Sequence, residues 1–191
     1  MAFSVRFTRR GLISLAACMP LGVAPAIAAA GISDFEGSWS ATTIESDPPL
    51  EIAPGELVLE IRVARDGGFT ARWSNPPLPD QPEVAQQIEA RFARTDNPAV
   101  FALKAPERSL LNQLFASPTT GNPLQGDTLV WARLADDALV LYSLSIDRRG
   151  RPVLVRSAHV PEGRDLRLER TVRVATQTPI VIEARFARSG G

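Results

Sequence analysis

Apart from carboxylates and hydroxyls, few side chains in this chain of 191 residues can move a proton or attack a bond near neutral pH. They are one histidine (His159), one tyrosine (Tyr142), one lysine (Lys104) and one cysteine (Cys18). Cys18 and both methionines, Met1 and Met19, fall before residue 20, so no sulfur remains beyond them. Thiolate nucleophiles and disulfides are thereby excluded from the main body of the chain, and a lone imidazole excludes a histidine-cluster zinc site. His159 is the one candidate for a haem ligand or general base. Its place at the end of an apolar run just before Pro161 reads instead as a surface residue at a strand end. Asp136-Asp137 and Asp147-Arg148-Arg149-Gly150-Arg151 are charge clusters in turn sequences. Neighbouring acids in a turn do not face each other across a substrate, as paired acid and base catalysis requires. The chain contains no nucleophile elbow, phosphate loop or dinucleotide fingerprint. No catalytic residue, metal or cofactor is therefore assigned.

The elements that must position these residues are strands. Apolar residues make up 45% of the chain and charged residues 22%, a globular balance large enough for one domain with a core. From Gly37 onward the dominant period is two. Leu57, Leu59, Ile61 and Val63 alternate with polar or small neighbours, then Arg65-Asp66-Gly67-Gly68 supplies a hairpin turn before Phe69, Ala71 and Trp73. Similar runs at 38–44, 88–94, 99–104, 128–134, 138–146, 153–159, 164–174 and 180–188 bring the expectation to about ten strands. Short turns at Thr95-Asp96-Asn97-Pro98, Ala135-Asp136-Asp137, Asp147-Arg148-Arg149-Gly150 and Pro161-Glu162-Gly163 favour an antiparallel meander. Three connections are longer: 46–56, the proline-rich 74–84, and 105–127. Only 107–116, with Leu110, Leu111, Leu114 and Phe115, has helical spacing. Ile88-Glu89-Ala90-Arg91-Phe92-Ala93-Arg94 recurs letter for letter as Ile182 to Arg188, and both copies should be strands with Ile, Ala and Phe on one face. The expected fold is all-β: an antiparallel up-and-down barrel of 8–10 strands with one short helix, closed so that no edge strand is left unpaired.

At the start of the first strand, Phe35-Glu36-Gly37-Ser38-Trp39 resembles the Phe-X-Gly-X-Trp entry motif of lipocalins and related calycin barrels. The resemblance implies that Trp39 plugs the closed end of the barrel under an arginine from late in the chain. It also implies that the other end admits a small apolar ligand. Arg188 is the candidate arginine, because it shares parity with Ile182, Ala184 and Phe186 while Arg185 lies on the opposite face. In such a barrel Leu59, Ile61, Phe69, Leu103, Leu129 and Leu141 face inward. Trp73, Trp131, Tyr142, Phe92 and Phe101 are the cavity candidates, with Tyr142 at the rim or donating inward.

The first thirty residues read as an export signal. Arg6, Arg9 and Arg10 precede a small, apolar run from Gly11 that ends in Ala26-Ile27-Ala28-Ala29-Ala30, and Pro20, Gly22 and Pro25 break it as a membrane span. Thr8-Arg9-Arg10-Gly11-Leu12-Ile13 resembles a twin-arginine export signal. Leu15-Ala16-Ala17-Cys18 resembles a lipobox, so lipidation at Cys18 is the alternative to cleavage at Ala28–Ala30. Loss of three arginines and no acid from a balanced chain leaves residues 31–191 three charges negative, which does not suit nucleic acid or anionic lipid by bulk charge. The expectation is a periplasmic or secreted barrel, 31–191, that binds a small apolar or amphipathic molecule. Two other readings remain open. One is an envelope interaction module that docks a protein partner through the Asn75–Pro82 loop and strand edges. The other is a cofactor-free isomerase or cyclase, in which an apolar barrel holds a reactive conformer and Tyr142, His159 or a buried acid supplies a proton.

Overall fold

The computed structural model describes residues 31–74, 87–104 and 122–189. The export segment, the Asn75–Pro82 loop and the helical spacing at 107–116 lie outside them. A 3-10 turn, Ile32–Phe35, leads into ten strands: β1 (Gly37–Asp47), β2 (Val58–Val63), β3 (Phe69–Ser74), β4 (Gln87–Arg94), β5 (Val100–Leu103), β6 (Leu129–Ala135), β7 (Ala138–Ile146), β8 (Pro152–Glu162), β9 (Asp165–Val174) and β10 (Ile180–Arg188). A second 3-10 turn, Pro123–Gln125, precedes β6. Each strand pairs antiparallel with its neighbours in sequence, and β1 pairs with β10, so the sheet closes into an up-and-down barrel. Closure gives every strand a partner on both sides, which is how an all-β chain of this length avoids an adhesive edge strand.

Alternating strand direction sorts the connections. The turns at one end, hereafter the floor, are short and use left-handed backbone where a tight reversal needs it, at Gly67, Asp136 and Gly163 (φ 79, 55 and 68°). The other strand ends, flanking 48–57, 75–86, 104–128, 147–151 and 175–179, lie at the opposite end, the mouth. The strands that the three long connections of the sequence join therefore all meet them at one end.

Inward residues follow the period of two. On β9, Leu166, Leu168, Arg170, Val172 and Val174 are buried in alternation with partly exposed neighbours. Both copies of the repeated heptapeptide are strands, β4 and β10, and bury Ala90 with Phe92 and Ile182 with Ala184 and Phe186. The floor half of the lumen is a packed core in which Phe69 stacks on Phe92 at 4.7 Å and meets Phe101 edge-on at 5.1 Å. A separate small cluster, Val153, Val172 and Val174, lines the wall nearer the mouth.

Candidate functional site

The floor is built from the entry motif. Trp39 is buried and its indole N–H donates to the Phe35 carbonyl at 3.0 Å, while Arg188 lies over the ring with its Cζ 4.7 Å from the centroid. Arg188 Nη2 also donates to the Glu36 carbonyl at 2.9 Å. Gly37 has φ 135°, and a Cβ there would sit 3.4 Å from the Arg188 guanidinium carbon, which accounts for glycine between the phenylalanine and the tryptophan. A crevice of about 360 Å³ opens at this end, lined in part by Asp34, Trp39, Arg164, Asp165 and Arg188.

Between the packed core and the valine cluster lies a polar layer that the sequence reading passed over. Arg170 occupies an inward position of β9 and is 2% exposed. Its Nε donates to Ser157 Oγ on β8 at 2.9 Å, and its Nη1 reaches the Ser74 carbonyl on β3 at 3.1 Å. β3 is separated from β9 by β10, β1 and β2, so the side chain crosses the lumen. Among the described residues no carboxylate pairs with it. Burial alone lowers its pKa to about 10, which leaves it charged at neutral pH. Ser143 and Ser145 of β7, in register with Val155 and Val153, add hydroxyls to the same half of the lumen.

His159 lies on the floor side of Arg170, in register with Leu139 and Leu168, and is 1% exposed. This corrects its reading as a surface residue. β8 continues to Glu162, and beyond His159 it pairs with β9 alone, an overhang in which Pro161 is tolerated. Burial, with the charge of Arg170, holds the imidazole pKa at about 3, so the ring is neutral. Its Nδ1 is 3.3 Å from the Leu139 carbonyl and therefore carries the proton as donor.

Of the cavity candidates, Phe92, Phe101 and Trp73 face the lumen and are buried. All three belong to the packed core. Trp73 sits next to Ser74, whose carbonyl receives Arg170, and among the described residues its indole N–H has no acceptor. Trp131 and Tyr142 are not in the lumen. They are register partners with rings stacked at 4.9 Å, and Tyr142 is opposite Arg156, whereas the inward residues of β6 are Val130 and Ala132. Both lie on the outer face, as does Leu129, and this corrects their expected place in the lining.

No protein-family model and no curated protein matches the chain. Two solved structures are similar to it in fold. The apo form of lipid binding protein 8 from Caenorhabditis elegans is 10% identical, with a TM-score of 0.42 over 84% of this chain and 99% of that one. A secretary abundant heat soluble protein from Ramazzottius varieornatus is 14% identical, with a TM-score of 0.34 over 81% of this chain and 95% of that one. The barrel itself rests on the strand pairing of this chain.

Proposed function

We propose that this is an exported barrel that binds a small amphipathic molecule through the mouth, with an anionic head on Arg170 and an apolar body against Val153, Val172 and Val174. The observation that carries the reading is a buried guanidinium with no acid partner among the described residues, set between two apolar clusters. An uncompensated buried charge is costly, and a carboxylate or phosphate in the lumen removes that cost. The indole N–H of Trp73, without an acceptor among the described residues, is a second donor beside Ser74. Export is supported by the arginines and alanines of residues 6–30. Burial of Ile32 and Phe35 in the barrel also requires that processing leave the chain intact from Ile32 onward.

The test is native mass spectrometry of the protein recovered from its expressing cells, repeated after delipidation and titration with a straight-chain carboxylic acid and the alcohol of the same length. The acid should bind at least tenfold tighter than the alcohol, and Arg170→Met should abolish that preference. Equal binding of acid and alcohol removes the anionic head from the proposal. No binding of either, together with a bare chain from cells, removes the ligand. The denatured mass separates a start within Ala29–Gly31 from a lipidated Cys18.

A further inference from the structure

On the outer face of the barrel the upper half of β7 is inverted. Ser143 and Ser145 point inward, while Tyr142, Leu144 and Ile146 point out. Two cross-strand rows continue this apolar surface over β6 to β8. Leu129, Leu144 and Leu154 are successive register partners and end on Arg173, and beside them Trp131, Tyr142 and Arg156 form the next row. The leucines and aromatics are half-buried and belong to neither core cluster. Leu124, on the capped 3-10 turn that touches β7, is 88% exposed. Several arginines elsewhere on the barrel are laddered with acids, Arg72 with Glu60 and Glu89, Arg167 with Glu162 and Glu169, Arg185 with Glu162, while Arg65, Arg91, Arg94 and Arg164 are exposed without an ion pair among the described residues but border no apolar row of this kind. Arg133, Arg156 and Arg173, which border the apolar rows, are exposed and have no ion pair among the described residues.

We propose that this sector, the outer face of β6 to β8, docks on an anionic lipid bilayer. The leucines enter the acyl boundary, the Trp131–Tyr142 stack sits at headgroup level, and Arg156 and Arg173 meet lipid phosphates. Charge complementarity selects this occupant. A second copy of the chain would bring the same unpaired arginines to the interface, whereas a layer of anionic headgroups over hydrocarbon satisfies the cations and the apolar rows together. The attraction is local, so the charge balance of the whole chain does not oppose it at distances beyond about 10 Å in ordinary salt. The sector runs up to the mouth, so a docked barrel presents its open end beside the bilayer. The docking surface is nonetheless independent of what the lumen holds.

The experiment is flotation of the full processed protein with phosphatidylglycerol–phosphatidylethanolamine vesicles and with phosphatidylcholine vesicles, while tryptophan emission is followed. Binding should require the anionic lipid and should shift the emission to the blue through Trp131, since Trp39 and Trp73 are already buried. The double substitution Arg156→Gln, Arg173→Gln, at exposed positions that do not threaten folding, should weaken binding by roughly 25-fold, about fivefold per arginine. Trp131→Phe should keep binding and lose the blue shift. Failure to float with anionic vesicles overturns the proposal. So does unchanged binding by the arginine variant, which is the result a lipid anchor at Cys18 would give. A dimer in solution that Leu144→Asp dissociates assigns the face to a second copy and overturns it equally.

Discussion

Replacing Arg170 with methionine should leave the ligand-free barrel as stable as the native protein or more so, while weakening its response to an anionic ligand. Burial lowers the guanidinium from 12.5 to about 10, a difference that corresponds to about 3 kcal/mol of desolvation cost carried by the folded state. Removing the charge recovers that amount. The loss is two hydrogen bonds from a charged donor, to Ser157 Oγ and the Ser74 carbonyl, at about 1.5 kcal/mol each. Methionine then returns about 1–2 kcal/mol of apolar burial between the two clusters. The balance is a gain of about 1–2 kcal/mol, a size often found when a buried ion is replaced by an apolar side chain of similar volume. Equilibrium urea unfolding of delipidated protein should place the midpoint of Arg170→Met about 0.5–1 M above that of the native chain at an unchanged slope. A saturating anionic amphiphile should close this gap, because ligand at about 100 times its Kd stabilises the native protein by about 2.7 kcal/mol and the variant, binding about tenfold more weakly, by about 1.4 kcal/mol. A loss of about 3 kcal/mol or more in the ligand-free variant would refute the reasoning. Arg170 would then be a strut across the lumen, and its burial would carry no information about a ligand.

Two further predictions concern the other half of the lumen. His159 has its folded pKa depressed to about 3 from 6.5, so below pH 6.5 the unfolded chain takes up a proton that the folded chain does not, and stability falls with pH. The loss by pH 4.5 should be about 2–3 kcal/mol and should be absent in His159→Gln; denaturant unfolding at pH 7 and 4.5 that shows the same difference in both proteins contradicts the burial. At the floor, Arg188→Gln removes the guanidinium over Trp39 and the bond to the Glu36 carbonyl, and should cost about 1–2 kcal/mol. Arg185→Gln, which loses only an exposed pair with Glu162, should cost less than about 0.5 kcal/mol, and equal shifts in thermal midpoint for the two would remove the distinction between the faces.

Strand existence and order are readable in this sequence because most strands are polar on one face only. On β2, β9 and β10 the alternation fixes both the element and its inward side, so Leu59, Ile61, Leu166, Leu168, Ile182 and Phe186 can be placed without a structure. β6 and β7 differ. Val140, Leu141, Tyr142 and Leu144 are apolar on both parities, and on β6 the small inward pair Val130 and Ala132 sits under the large outward pair Leu129 and Trp131. A period-two rule cannot choose a side there, and size misleads it, since the larger residues face out. The choice is made by register with β8 and β9, which brings Ser157 and Arg170 into the lumen opposite Leu141 and sets Arg156 beside Tyr142. His159 was hidden for a related reason. Pro161 marks a strand end only where the strand has two neighbours, and that depends on how far β7 extends alongside it. Arg170, by contrast, was visible as the one charged residue in the series Leu166, Leu168, Val172, Val174. What the alternation could not supply was its partner, a carbonyl 96 residues away on the far wall. The two proposals therefore rest on the two places where the inside-outside code is broken, a cation facing in and an aromatic pair facing out. Each break carries a cost in water that a ligand in the lumen or a bilayer against the wall would remove.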